Sequence, residues 1–390
     1  MTIQQILPFE SAVNADSLPA LTASNGSAGE EMVLAFIETF SKALLKQPES
    51  RALPELVALG FWLRRANIQQ VLSTLAVGEH KPLGLVVHYT PANVDTMFVY
   101  SWICALLMGN RNIVRLSSRE GHTQGVLVKV MRSVMQLPEY QDVAAANQFV
   151  RFEREHADNA CISLLADARV LWGGDDSVSA IRALPCKPRC RDISFADRYS
   201  ASYIDFNGVT DIRQTAELFW RECEPFEQQA CSSPRILFWR GNSEHWDAFT
   251  NELSSITRNA APSLTRRNEQ LIYSQWCQAN GLVSASEQAG SLNLAHVETW
   301  KPDLLARHTG QYSVCCKAVI NARELLQYDD PRWQTLSYAG VSKDSLFKIF
   351  AHAPIAGIDR VVPLGNALAF SSQWDGYELL SQLARRVVFE

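Results

Sequence analysis

Between residues 84 and 184 short apolar runs alternate with longer helical patterns, and this alternation restricts the fold more than any other feature of the chain. Gly84-Leu-Val-Val-His88 reads as a strand, 94–108 as an apolar helix, Asn112-Ile-Val-Arg-Leu116 as a strand and Gln124–Gln136 as a helix. Cys161–Leu165 and Ala168–Trp172 read as two more strands, and Asp175–Leu184 as the helix after them. Strands spaced by helices of this length predict a parallel sheet, because a parallel pair needs a long crossover connection. From about residue 208 the alternation returns more loosely and closes with a strand at Val361–Leu364 and a helix at Trp374–Val387. The sequence carries no internal repeat. Ahead of the alternation, residues 1–25 read as irregular chain wrapping the surface. Ser27 and Glu30 form a capping-box pattern for an amphipathic helix over 28–47, and a second helical region covers 53–76.

The predicted fold class is α/β, in two domains. The expected boundaries are 1–207 for N-terminal helices and the nucleotide-binding domain and 208–360 for the catalytic domain. Residues 361–390 are expected to form a strand and helix packing back on the cofactor or oligomer side. A net charge of −5 and a pI near 6.0 argue against nucleic acid, which calls for a basic face. The run FVYSWICALLMG is too short to cross a membrane, and the first residues lack the basic and apolar regions of a signal peptide. Nine cysteines, an odd count, fit free thiols in a reducing compartment, so the cytoplasm is the expected location. Neither Cys186-Lys-Pro-Arg-Cys190 nor Cys315-Cys316 has a second CxxC or a His pair at ligand spacing, so no metal is expected.

Three stretches carry chemistry. In FEQQACSSPR, Cys231 lies between a helix ending near Gln229 and a buried strand, Ile236–Trp239. That turn is the partly exposed setting in which reactive thiols occur. In ARVLWGGDDSVSAIR, Gly173 and Gly174 join a buried strand to a helix, a turn that lets a phosphate approach the backbone; a tight turn with an Asp cap is the plainer reading. In GLVVHYTPANVDTMF, Asn93 follows a strand end and begins an apolar helix, either as an N-cap or as an amide donor to an oxyanion. Arg115 ends the next strand on the same sheet edge, where open α/β folds bind ligands. His88, beside the Asn93 turn, reads as a core histidine.

Taken in order, HYTPANVDTMFVYSW, GNRNIVRLSS, ADARVLWGGDDSVSAIR, DISFADRYSASYID, QQACSSPR and DRVVPLGNALAFSSQWDGYELL resemble the aldehyde dehydrogenase superfamily. More closely they resemble the LuxC-like fatty acyl-CoA reductases, which implies an aldehyde-dehydrogenase-like fold with a Rossmann-type cofactor domain beside an α/β catalytic domain. The resemblance implies that Cys231 attacks an acyl thioester, that Asn93 holds the oxyanion, that Gly173 and Gly174 meet a pyrophosphate, and that Arg115 lies near the adenosine ribose. Oxidising relatives carry a glutamate in an ELGGK-like motif that activates water; the matching RYSASYID has none, which favours reduction. Ser117-Ser118-Arg119 stands where an acidic residue would bind a ribose 2′-hydroxyl, so NADPH is the expected cofactor. An acyl-CoA or acyl-carrier thioester is the expected substrate, with an acyl-transferring partner enzyme and a homo-oligomeric state as further expectations. A CoA-acylating aldehyde dehydrogenase, an acyl-phosphate reductase of the same fold and a non-catalytic scaffold subunit stay open as alternatives.

Overall fold

The strands Leu85–Tyr89, Ala168–Trp172 and Tyr199–Asp205 and the helix Met97–Leu107 are buried along their whole length. The structure, a computed structural model, describes residues 3–91, 94–118, 121–153, 156–258 and 263–390. They form two units, residues 3–197 with 370–390, and residues 198–369. The division falls at Asp197/Arg198, upstream of the expected boundary after residue 207, because Tyr199–Asp205 is a strand of the second sheet.

The first unit holds the strands β1 (Ile3–Leu7), β2 (Ser11–Val13), β3 (His80–Pro82), β4 (Leu85–Tyr89), β5 (Arg111–Arg115), β6 (Asn147–Arg151), β7 (Ala168–Trp172) and β8 (Arg191–Phe195). Seven of them make one sheet in the order β2-β1-β6-β5-β4-β7-β8, parallel from β6 to β8. Every residue of β4 and β7 is buried, as expected when helices cover both faces of a parallel sheet. Arg169 is tolerated at 1% exposure inside β7 because Asp192 of β8 accepts its Nε and Nη2 at 2.6 Å each, while Nη1 donates to Ser163 Oγ and to the carbonyls of Ile181 and Leu184.

Two expectations here need correction. Residues 1–25 contribute β1 and β2, which pair antiparallel at the sheet edge. Cys161–Leu165 belongs to a helix, Asp158–Leu165, that buries Ile162 and Ser163. A short apolar run does not distinguish the two states by itself.

The second unit holds β9 (Tyr199–Asp205), β10 (Pro234–Arg240), β11 (Ala285–Ala289), β12 (Leu292–His296), β13 (Ser313–Ala318), β14 (Trp333–Ala339) and β15 (Arg360–Pro363), ordered β11-β12-β13-β10-β9-β14-β15. Numbering five consecutive parallel neighbours of each sheet by chain order gives the same sequence of places, 3-2-1-4-5. In the first sheet it runs β6-β5-β4-β7-β8 and in the second β13-β10-β9-β14-β15. This is the doubly wound order, with its switch point between the first and fourth strands. In the first unit that point lies between the ends of β4 and β7, where Pro91 and Gly173 follow. In the second unit the backbone fills it. Gly340 has φ +72°, and a Cβ there would stand 1.9 Å from Asp205 O; one on Gly208 would stand 2.0 Å from Gly340 O.

The chain then returns to the first unit at Phe370. The expected helix over Trp374–Val387 is instead a two-residue hairpin, β16 (Gln373–Trp374) with β17 (Tyr377–Glu378), then one helical turn at Leu379–Gln382 and a last strand β18 (Ala384–Arg386). Asp375 and Gly376 take φ of 48° and 72°, the left-handed pair that a tight hairpin demands. The expected C-terminal strand is β15, and it stays in the second unit's sheet, beside β14. The return is fastened by Asn110 Nδ2 donating to Leu383 O at 2.8 Å and by β18 pairing antiparallel with β3. Tyr100 is packed by Phe370, Trp374, Trp62 and Trp172.

Gly340→Ala is expected to cost roughly 2–4 kcal/mol in urea unfolding, from a positive φ and a backbone collision together. Gly174→Ala, whose Cβ would meet nothing within 4 Å, is expected to stay within about 0.5 kcal/mol of the parent.

Candidate functional site

Cys231 sits where the amino ends of the second unit's parallel strands converge. The helix Ile212–Cys223 ends, and Pro225–Gln228 forms a single tight turn before β10. Phe226, Glu227 and Gln228 all lie in left-handed backbone, at φ 54°, 56° and 63°. None is a glycine, and each left-handed residue costs roughly 1–2 kcal/mol. The conformation persists because its neighbours over-determine it. Gln228 is fully buried and its Nε2 donates to Pro234 O at 2.7 Å and to Ser313 O at 2.8 Å, tying the turn to the first residues of β10 and β13. Gln311 N–H donates to Glu227 O at 2.9 Å, and Glu227 forms an ion pair with Arg266. Gly310, at φ +78°, approaches so closely that a Cβ there would stand 2.6 Å from Gln228 O.

A buried histidine completes this support. Gly310 N–H donates to His308 Nδ1 at 3.1 Å, so His308 Nε2 carries the proton and donates to Ser313 O at 2.9 Å. Burial pushes the imidazole pKa down to about 3, helped by the nearby Arg235 charge, so His308 is neutral and acts as a brace. Beyond Gln228, the turn Ala230–Ser233 closes with Ser233 N–H donating to Ala230 O at 3.0 Å. Cys231 is its second residue and is half-buried, and Ser200 Oγ at the start of β9 donates to its carbonyl at 2.7 Å. The chain thus turns into a strand after Cys231 as expected, but the helix before it ends at Cys223 and not near Gln229, because Pro225 and the left-handed residues 226–228 stop it.

Five other cysteines, Cys104, Cys223, Cys277, Cys315 and Cys316, are buried, and burial raises all their pKa values; Cys315 reaches about 12. Such thiols are poor nucleophiles at neutral pH. Cys190, half-buried, is raised to about 11 by the same cause. Cys161 and Cys186 are exposed, on the helix Asp158–Leu165 and on the chain before β8.

The remaining sequence-predicted residues belong to the first unit. Arg115 ends β5; its Nη2 donates to Phe152 O at 3.1 Å, and its guanidinium lies 5.2 Å from the centre of the Phe152 ring. Gly173 and Gly174 follow β7 as expected, with Gly174 as N-cap of the helix Asp175–Arg182. That helix begins with two acids, and Asp175 Oδ1 accepts Asp197 N–H at 3.1 Å. The glycines thus permit close approach without adding positive charge. Asn93 and Arg119 lie outside the described residues. His88 is fully buried between Ser101 Oγ and Asn112 Oδ1, with its pKa pushed down by burial to about 4, a core histidine as read.

The family described as Acyl-CoA reductase (LuxC) matches residues 28–386. The chain belongs to the LuxC family. Among curated relatives, long-chain acyl-protein thioester reductase 2 of Photobacterium leiognathi is 28% identical over 191 residues, and long-chain acyl-protein thioester reductase of Aliivibrio fischeri is 26% identical over 186. Each match takes in 44% of this chain and 35% of the relative, so the LuxC-family chain spans about a third of the length of the curated relatives it matches. Solved structures of aldehyde dehydrogenases share its fold. Aldehyde dehydrogenase 21 of Physcomitrella patens superposes with TM-score 0.66 at 13% identity, over 95% of this chain and 87% of that one. Methylmalonate-semialdehyde dehydrogenase of Oceanimonas doudoroffii gives 0.67 at 11%, over 96% and 87%. The fold is aldehyde-dehydrogenase-like, as expected.

Sequence reasoning missed a second polar centre of this LuxC-family chain. Glu222, on the helix Ile212–Cys223, is fully buried; its Oε1 accepts Gly365 N–H at 2.7 Å and Ala367 N–H at 2.9 Å, and its Oε2 accepts Ser337 Oγ at 2.6 Å. From the other side, Arg360 donates to the carbonyls of Asn366, Ala367 and Ala369. A carboxyl group and a guanidinium thus grip the backbone of residues 365–369 from both sides. Burial raises the Glu222 pKa to about 7 against these hydrogen bonds, which lower it.

Because the folded pKa lies above the unfolded value of 4.5, the contribution of Glu222 is fully present below pH 4.5 and is lost as pH rises through about 7. Glu222→Gln keeps the acceptor for both N–H groups and lets Ser337 accept. Chemical unfolding from pH 4.5 to 8.5 should show the parent losing about 2–3 kcal/mol relative to this variant; parallel profiles would exclude the titration.

Proposed function

We propose that this chain reduces an acyl thioester to the aldehyde through an acyl group carried on Cys231. The observation that carries the reading is the half-buried Cys231 thiol on the turn that directly follows the braced left-handed residues 226–228, in a chain of the LuxC family. A strained but over-determined turn is the kind of place where position is maintained for chemistry. In this reading Cys231 Sγ, as thiolate, attacks the thioester carbon, and the oxyanion collapses with departure of the donor's thiolate. Asn93, outside the described residues, is assigned as the amide that donates to the oxyanion.

The cofactor reading is NADPH, which when bound supplies a hydride to the acyl carbon. The open space beside Gly174 and the Arg115 guanidinium at the end of β5 fit a dinucleotide at the switch point of the first sheet. Arg115, with Arg119 two residues beyond Ser117, is assigned to the 2′-phosphate, and Gly173 and Gly174 to the pyrophosphate. Once the carbon is reduced, its bond to Cys231 Sγ breaks, the aldehyde leaves and the thiol is restored. Residues 3–197 then form the nucleotide unit and 198–369 the cysteine unit. The similarity to long-chain acyl-protein thioester reductases supports a protein-bound acyl thioester as donor beside acyl-CoA. A cytoplasmic homo-oligomer served by an acyl-transferring enzyme completes the reading.

Mixing the protein with labelled acyl-CoA or acyl-carrier thioester, without NADPH, should leave one hydroxylamine-labile acyl group per active chain. Cys231→Ser should remove both the label and aldehyde formation, because a serine hydroxyl stays protonated at neutral pH. A label persisting in Cys231→Ser would place the nucleophile elsewhere.

Fluorescence titration should give NADPH about ten- to a hundredfold tighter binding than NADH, the worth of a charged pair on the 2′-phosphate. Arg115→Ala should shrink that ratio with little change for NADH. Equal binding of the two cofactors by the parent would exclude the assignment.

A further inference from the structure

The amino edge of the first sheet, opposite the edge where β4 and β7 end, carries a concentration of positive charge that the reading above does not use. The two-stranded ribbon of β3 and β18 pairs His80 with Arg386, Lys81 with Arg385 and Pro82 with Ala384. One of its three cross-strand pairs, Lys81 with Arg385, therefore sets two cations directly opposite one another. Like charges in that position destabilise a ribbon, and arginine, lysine and proline give a two-stranded pairing little in return. The only ion pair made by these residues is Arg386 with Glu79; Lys81 and Arg385 are exposed and form none among the described residues.

Another basic group stands beside the ribbon. Arg191, half-buried at the start of β8, donates through Nη1 to Gln382 O at 2.5 Å and Ala384 O at 3.0 Å. Those two bonds fix the plane of its guanidinium, and its other donors have no protein partner among the described residues. His80, 9% exposed, spends Nδ1 on Ala76 O at 2.8 Å and keeps Nε2. Arg191, His80, Arg385 and Arg386, with Thr74 and Ser381, line a cavity of about 820 Å³. In a chain of net charge −5, an open pocket of this size with Arg191, Arg385 and Arg386 in its lining departs from ordinary surface patterning, and such departures concentrate at functional sites.

We propose that this cavity is a binding site for a small ligand bearing a diphosphate group, separate from the dinucleotide site assigned at the opposite edge. Guanidinium groups give planar paired donors to phosphate oxygens, and a diphosphate offers enough negative charge to meet several of them. The bound anion converts the repulsion between β3 and β18 into shared attraction and so fastens the returning chain. The site uses neither Cys231 nor Arg115 and stands whether or not the thioester reading does.

The test is calorimetric titration of the full chain with inorganic pyrophosphate, ADP and CoA at constant ionic strength, with NADPH saturating. Pyrophosphate should bind and raise the melting temperature in a concentration-dependent way. The three ligands distinguish a bare diphosphate from a nucleotide or coenzyme that carries one. In Arg385→Ala/Arg386→Ala, binding should weaken about tenfold or more and the thermal shift should vanish. The melting temperature of that variant without ligand should match the parent, since an exposed ion pair adds little and a repulsion is removed. Cys231→Ser should bind as the parent does. The proposal is overturned if the parent binds none of the three, if the double variant binds equally well, or if NADPH displaces the anion.

Discussion

The arrangement of the second unit's site depends on one buried amide. Pro234 O and Ser313 O belong to the first residues of two neighbouring parallel strands, and Gln228 Nε2 donates to both. Buried carbonyls need partners, and here one side chain serves two strands and its own turn together. Because the amide must reach both, Gln228 is drawn into left-handed backbone with Phe226 and Glu227, and the chain arrives at Cys231 from a fixed direction. His308 and Gly310 serve the same end, one by capping Ser313 O and the other by leaving space for Gln228 O.

The two sheets share a strand order without sharing a sequence pattern. In the first, the switch point between β4 and β7 is followed by a glycine pair with open space beside it. In the second, the equivalent place is closed by Gly340 pressed on Asp205 and by Gly208 pressed on Gly340. Glycine thus has opposite consequences in the two sheets. At Gly174 the missing side chain leaves room for something else, and at Gly340 it lets backbone occupy the room.

How much of this was legible depended on the distance over which each signal acts. Strands β4, β5 and β7 are runs of Val, Ile and Leu that no helix pattern matches, and they read directly. β6 and β8, with Asn147, Gln148, Arg191 and Asp192, carry too little apolar character to stand out, yet they are strands because their neighbours supply the ladder. At Trp374–Tyr377 the Asp-Gly pair announced a hairpin that helical spacing obscured. The turn around Cys231 was visible locally, whereas its supports were not. His308, Ser313, Gly365 and Ala367 lie far along the chain from the residues they serve, and only the sheet order brings them together. Glu222 looked like one more charged position on an amphipathic helix; nothing in its own neighbourhood shows that it faces inward.

The first unit is assembled from both sides of the second, since residues 370–390 return to it and β18 pairs with β3. During synthesis the second unit is one continuous stretch, 198–369, and has all its strands before the last strand of the first has been made. The usual order, in which the earlier domain is finished first, is therefore reversed here. Until the return segment arrives, Tyr100 lacks the rings of Phe370 and Trp374 that pack on it, and Trp62 lacks that of Phe370. In the interval between those two events the uncovered rings are open to association with other chains.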